Sequence, residues 1–468
     1  MPLAGGGSST SSSVPERIRA AVPLDGAWLV GGTVRDLLMG RPVTDIDVLV
    51  DGDAGQAARE VARRAGGSPF PLSERHGAWR VMRDDLTIDI AAARGSLTDD
   101  LALRDFTVNA MARPLDGGEL IDPHGGRQDL ERRCVRRVSD GVFDDDPLRL
   151  LRLPRIAHEL DFGMEADTER LARRKAPLAS SPSGERIFME LRRLLAPPDP
   201  GDGVRLLDRV DVLEPVWPEL AAVKGVSQGQ HHALDVFDHT VHVVDAVADV
   251  TAHPAWYLPV NGEAVESRMA AIVGDEIPVW LALRLSALLH DIAKPLTRRE
   301  FDDGRVGFPG HDALGSQMTI DILARWRTSA VLARFCSTMV RSHLALGFDA
   351  AGRPFDRRVG YRYLRATEPW HVASVVLSVA DRVATRGWRS KARHLRVHVQ
   401  AADELLSLLL ELESEQRPPL LRGDEIAGET GATGAAIGAL VERLAEEQAA
   451  GAVTTREEAV RFVRSAEI

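Results

Sequence analysis

Residues 27–51 read AWLVGGTVRDLLMGRPVTDIDVLVD, and this stretch decides the fold. AWLV is a short apolar run ending at the pair Gly31–Gly32, and TDIDVLVD alternates acidic with β-branched residues. The pattern reads as strand, glycine turn, short helix and second strand. Residues two apart on a strand project from one face, so Asp45 and Asp47 present their carboxylates side by side. A glycine turn beside them lets backbone N–H groups meet a triphosphate, the next helix offers its positive end, and Arg35 adds a cation. Metal-dependent nucleotide transfer needs this combination, and oxygen-only ligands favour magnesium. The glycines do not form GxGxxG, which disfavours a dinucleotide fold.

Working outward, residues 15–26 and AGQAAREVARRAGG read as helices, and WRVM (79–82) and LTIDIAAA (86–93) as strands. The alternation predicts an α/β head over 15–138. Asp89, between Ile88 and Ile90, is either a third metal-cluster carboxylate or an outward-pointing strand residue. Arg127, Arg132, Arg133, Arg136 and Arg137 offer a phosphate-binding face or a solvated helix face. From 143 the chain turns helical. Asp145 and Asp146 precede Pro147 at a helix start, which suits a helix N-terminus. Asp146 and Arg149 are three apart and predicted on one helix face, with Arg152 one step along. Pro154 is predicted to kink or interrupt this helix. A neck over 139–200 ends in a hinge at 196–202. The chain then looks all-helical to about 400, and 401–468 forms a helical tail with Thr454-x-x-Glu457 as a capping box.

The bulk properties agree with this division. A chain of 468 residues predicts two to four domains, and the net charge of −11 does not mark the whole chain as a nucleic-acid binder. The two cysteines, Cys134 and Cys336, are far apart, which fits a reducing cytosol, so a cytoplasmic protein is expected. No stretch approaches the ~20 apolar residues of a membrane span. The opening MPLAGGGSSTSSS predicts a disordered tail over 1–14.

GGTVRDLLMGRPVTDID resembles the signature of the class II tRNA nucleotidyltransferase and bacterial poly(A) polymerase family, within the polymerase-β-like superfamily. LRDFTVNAMA (103–112) resembles its RRDFTxNA motif, DPHGG (122–126) its DPxGG turn, and DDPLRLLRLPRIAHELDF (145–162) its EDPLRxLRxxRFAxxLxF element; GERIFMEL (184–191) resembles a later motif. The resemblance implies a polymerase-β-like head in which Asp45 and Asp47 hold Mg2+, helped by Asp89. Gly31, Gly32 and Arg35 would line the triphosphate, and Arg104, Asp105 and Asn109 would contact ribose and phosphates. Asp146 and Arg149 would read the base, with Asp145 and Arg152 beside them. Cytosine and adenine both present an exocyclic amine beside a ring-nitrogen acceptor, which a carboxylate and a guanidinium complement. Guanine and uracil present the reverse pattern and would leave buried groups unpaired. The implied activity is template-free addition of C from CTP, with A from ATP left open, to the tRNA 3′ end. Leu103 stands for the first arginine of RRDF and Asp145 for the usual glutamate. Only nine residues separate Arg94 from Arg104, where CCA-adding members carry a longer loop, so the chain resembles members that add only CC. A poly(A) polymerase, an HD phosphohydrolase with an inactive head, and a non-catalytic RNA-binding module are the rival readings.

A second constellation lies in the helical region. FDHTVHVV carries His239, ALLHDIAKP carries His290 and Asp291, and SVADRVATRG carries Asp381. These segments resemble the HD metal-dependent phosphohydrolase domain. The resemblance implies a divalent metal held by His239, His290 and Asp381 with Asp291 bridging, and His311 and His343 as candidates for a second metal or a phosphate. The stretch TRGWRSKARHLR (385–396) reads as a tRNA-backbone contact or a solvated helix.

Overall fold

The computed structural model describes residues 14–73, 77–83, 86–228, 234–349, 355–385, 392–415 and 418–466. The chain forms two compact units, one running to Pro182 and including Arg209–Pro215, the other holding Ser183–Asp208 and Val216 onward.

The first unit is built on a mixed sheet. Helix α1 (Glu16–Ala21) leads into β1 (Ala27–Val30), α2 (Gly31–Leu38) and β2 (Asp45–Val50). The glycine pair is not a separate turn: Gly31 is the first helical residue, at φ +64°. Helix α3 (Ala54–Ala65) starts at Asp53, whose Oδ1 accepts from Gln56 N at 2.8 Å. Strands β3 (Ser68–Ser73), β4 (Ala78–Arg83) and β5 (Leu86–Ala92) follow, then α4 (Leu97–Ala102) and β6 (Ala112–Pro114). The sheet order is β3-β4-β5-β2-β1-β6, with β2 and β5 parallel and the other neighbours antiparallel. β3 is not legible in the sequence because it carries Pro69 and Pro71, which an edge strand tolerates.

Strand periodicity places the carboxylates. Ile46, Val48, Ile88 and Ile90 are buried in one core with Ala58 and Val61 of α3 and Ile18 of α1. Asp45, Asp47 and Leu49 alternate to the other face, where Leu49 packs with Val30, Leu101 and Ala112. Asp47 lies directly opposite Asp89 in the parallel register.

The next segments differ from expectation. The arginine run makes no single helix face, since α5 (Gly126–Glu131) ends before Arg133, which sits at φ +54°. Its members pair within the unit: Arg127 with Glu131, Arg133 with Asp161, Arg136 with Asp129, Arg137 with Asp140. Asp146 and Arg149 do not share a helix face. Asp145 ends a short helix of its own, α6 (Val142–Asp145), Asp146 is extended at φ −147°, and α7 (Arg149–Leu160) begins three residues later. Pro154 does not interrupt α7.

The second unit is mainly helical, but the region is not all-helical. Short hairpins pair Ile272–Gly274 with Ile277–Pro278 and Arg299–Glu300 with Val306–Gly307. The helices Val236–Ala252, Val279–Leu289, His311–Arg325, Ala330–Ser342 and His371–Ala384 carry or flank the second constellation. At the C-terminal end the capping box lies one residue later than predicted, between Thr455 and Glu458. Much of the basic stretch, 386–391, lies outside the described residues, as does most of the predicted N-terminal tail.

Candidate active site

The acidic cluster is fixed by backbone pairing before any ligand arrives. Thr33, on the first turn of α2, accepts from Asp47 N at 2.7 Å and donates to the Asp45 carbonyl at 3.2 Å. It pins helix to strand, a role the sequence shows only as the third residue of GGT. A Cβ built on Gly31 would stand 2.9 Å from Arg104 Nη1 and 3.0 Å from Asp47 Oδ2; one on Gly32 would stand 3.4 Å from Arg35 Nη2. Asp47, Arg104 and Arg35 therefore converge over the glycine pair. Burial pushes the Asp47 carboxyl up to about 6; Arg104 opposes this, while Asp89 and Asp45 add to it. Asp45 is exposed at the strand end. Asp89 is held by Arg80, whose Nε and Nη2 lie 2.7 and 2.8 Å from its two oxygens. Three carboxylates on one face, the central one desolvated among like charges, form a donor set that fits a divalent cation.

Beside it runs a connected polar network. Arg35 Nη1 donates to Asn109 Oδ1 at 2.7 Å, Asn109 Nδ2 to Asp105 Oδ1 at 3.1 Å, and Arg152 Nε to Asp105 Oδ2 at 2.8 Å. Burial alone would raise the Asp105 pKa, but Arg152, Phe106 N–H and Asn109 outweigh it and hold the carboxyl well below its usual range. Arg104 Nη2 donates to buried Asp100 at 3.2 Å, and Asp100 also takes Arg94 Nε at 2.8 Å. The connection between Arg94 and Arg104 contains α4, closed by a Ser96–Asp99 capping box. That box and Asp100 were missed, although Ser-x-x-Asp was the available signal. Arg149 donates to the Leu103 carbonyl at 2.6 Å and the Val142 carbonyl at 3.3 Å. Burial lowers its pKa, and the nearby Asp105 and Asp146 carboxylates oppose that. Asp146 Oδ1 accepts from Leu148 N at 3.2 Å, and Asp145 is exposed.

In the second unit, Asp291 lies among four histidines. Its Oδ2 is 3.1 Å from His290 Nε2 and 3.8 Å from His239 Nε2; its Oδ1 is 3.4 Å from His311 Nε2 and 3.8 Å from His343 Nε2. Asp381 Oδ1 is 3.0 Å from His239 Nε2. Nδ1 of His290, His311 and His343 each lies 2.7 Å from the carbonyl three residues earlier, which leaves Nε2 facing Asp291. Among the described residues, His290 Nε2 and Asp291 Oδ1 are buried with no hydrogen bond. Two groups, His239–His290–Asp291 and Asp291–His311–His343, have the reach to hold a metal ion each. Lys294 Nζ, 2.6 Å from both Asp291 Oδ2 and Gln228 Oε1, was not singled out in the sequence.

The poly(A) polymerase head domain family matches residues 27–136, and the family described as the probable RNA and SrmB-binding site of polymerase A matches 161–224. An A-adding tRNA nucleotidyltransferase of Deinococcus radiodurans is 35% identical over 446 residues, covering 94% of this chain and 95% of the relative. The chain belongs to the tRNA nucleotidyltransferase family. A CC-adding tRNA nucleotidyltransferase of Thermus thermophilus is also 35% identical, covering 93% of each chain. Family membership therefore leaves the choice of nucleotide to the site. The Thermotoga maritima CCA-adding enzyme complexed with tRNA shares the fold at 21% identity and TM-score 0.57, covering 97% of this chain and 96% of that one. Among the described residues no helix is long and apolar enough to cross a membrane.

Proposed function

We propose that this tRNA nucleotidyltransferase adds C from CTP to the tRNA 3′ end without a template, with magnesium at Asp45, Asp47 and Asp89. The observation that carries the reading is the convergence of Asp47, Arg104 and Arg35 on Gly31–Gly32, beside Asp45 and Asp89 on one sheet face. Magnesium held by Asp45, Asp47 and Asp89 would supply Lewis-acid stabilisation to the attacking RNA 3′ oxygen and to the departing pyrophosphate. Arg104 and Arg35 face the triphosphate and neutralise the leaving group. Asp105 and Asn109, locked between Arg35 and Arg152, fix the ribose. Arg149 and Asp146 read the base: Arg149 is anchored by backbone carbonyls, and Asp146 lies close enough for its charge to act on it.

Helix α4 supports termination at CC. The segment between Arg94 and Arg104 is short and closed by its own cap, with buried Asp100 tying both ends. It has little slack for reshaping the base site between C and A. The test offers purified protein tRNA ending before CCA, after C and after CC, with CTP or ATP singly and magnesium. CC addition without A is expected. A addition to tRNA-CC contradicts the α4 argument, and long A tracts on generic RNA support a poly(A) polymerase.

The six-residue cluster around Asp291 favours a second activity, metal-dependent hydrolysis of phosphate esters at RNA ends. Inward Nε2 atoms around a shared, buried carboxylate are suited to one or two divalent ions and an activated water. Opening of 2′,3′-cyclic RNA ends to phosphomonoesters, or release of inorganic phosphate from terminal phosphomonoesters, lost in His290→Ala, is the expected result; the absence of both reactions with every divalent metal removes this reading.

A further inference from the structure

Arg80 lies outside every motif that carries the family resemblance, yet it holds the third carboxylate of the head. Strand β4 runs antiparallel to β5 and sets Arg80 directly opposite Asp89. The guanidinium fork takes both Asp89 oxygens, Nε to Oδ1 at 2.7 Å and Nη2 to Oδ2 at 2.8 Å. Among the described residues, all its hydrogen bonds go to Asp89. Arg104 differs, being tied to the buried Asp100. Arg80 also feels the charges of Asp45 and Asp47, so it is a counter-charge for the whole cluster. Both partners are about one-third exposed, at 33% and 30%, which leaves the pair open to exchange.

A cation held by Asp47 and Asp89 would compete with the guanidinium fork for the Asp89 carboxylate. We propose that Arg80 is an exchangeable counter-ion: it neutralises Asp89 while the cluster holds no divalent cation, and surrenders an Asp89 oxygen when one binds. This rests on reading the three carboxylates as a magnesium site. Breaking an ion pair that is one-third exposed is inexpensive, so the pair tunes cation affinity without preventing binding. Its consequence is that the empty site carries one negative charge fewer and is selective against weak cation binding.

Mn2+ binding to the full-length protein without nucleotide, followed by electron paramagnetic resonance, tests the proposal. The difference between wild type and Asp45→Ala/Asp47→Ala isolates the head site from the histidine cluster; no difference there means that the metal-site reading itself is wrong. Given that difference, Arg80→Met is expected to bind Mn2+ about three- to tenfold more tightly than wild type, and Arg80→Lys, which keeps the charge but loses the fork, to fall between them. In an Asp89→Asn background the gain should vanish. Unchanged or weaker binding by Arg80→Met and Arg80→Lys, with native circular dichroism, overturns the proposal. An equal gain in the Asp89→Asn background also overturns it, because the effect is then one of general charge.

Discussion

Asp47 and Asp89 stand opposite one another on parallel strands, and each is answered by a different guanidinium: Arg104 closes with Asp47 over Gly31, while Arg80 grips Asp89 from the next strand. Two strands and a helix start thus bring like charges together, and cations from elsewhere in the unit compensate them. Electrostatic cost concentrates at Asp47, the most desolvated of the three.

That cost has a measurable sign. The Asp47 carboxyl is pushed up to about 6 in the folded protein, above its ordinary 3.8. The folded state therefore binds a proton more tightly than the unfolded chain, and metal-free stability falls as pH rises from about 4 to about 6, by about 2 kcal/mol. Asp47→Asn removes the penalty. In EDTA its melting temperature should exceed that of wild type at pH 8 and approach it at pH 4; an equal difference at both pH values rejects the assignment.

Gly31 admits no side chain. At φ +64°, alanine pays about 1–2 kcal/mol for the left-handed backbone, and its Cβ meets Arg104 Nη1 and Asp47 Oδ2 at 3.0 Å or less. Gly31→Ala should lower nucleotide incorporation about tenfold or more through displaced reacting groups. Steady-state kinetics on folded protein check this.

Arg152 keeps Asp105 ionised. Arg152→Met leaves a buried carboxylate with Phe106 N–H and Asn109 as its remaining partners, at a cost of about 3 kcal/mol. The wild-type pair's contribution is full above the unfolded carboxyl pKa of about 4 and is lost as pH falls below it. Urea denaturation should show the gap between wild type and variant at pH 7 narrowing at acid pH.

The histidine cluster predicts metal stoichiometry. After dialysis against trace Mn2+ or Zn2+, elemental analysis should find retained metal in wild type and in Asp45→Ala/Asp47→Ala. Asp291→Ala should lose it, because both groups of ligands share Asp291, and His290→Ala should lose only the part held with His239.

The DID strand and the helix after the glycines were legible because a two-residue period and a turn signature are local. The proximity of His290 and Asp291 was legible for the same reason. Arg80 and Lys294 were not, because each acts on a partner supplied by tertiary pairing: a cross-strand register and a side chain from a distant segment. Asp100 differs, because its partners Arg94 and Arg104 are near in sequence and the Ser96–Asp99 cap marks its helix. The helix drawn through Asp146 failed for a local reason. Asp146 and Pro147 form a turn between two helices, so three-residue spacing did not put Asp146 and Arg149 on one face.

The central claim is that the DID carboxylates transfer nucleotides. It is tested most directly by magnesium-dependent incorporation of labelled CTP into tRNA lacking CCA, comparing wild type with Asp47→Asn whose fold and raised melting temperature have been verified. Incorporation by wild type and its loss, by about a thousandfold or more, in the better-folded variant is the predicted result. Undiminished incorporation by Asp47→Asn would contradict the account.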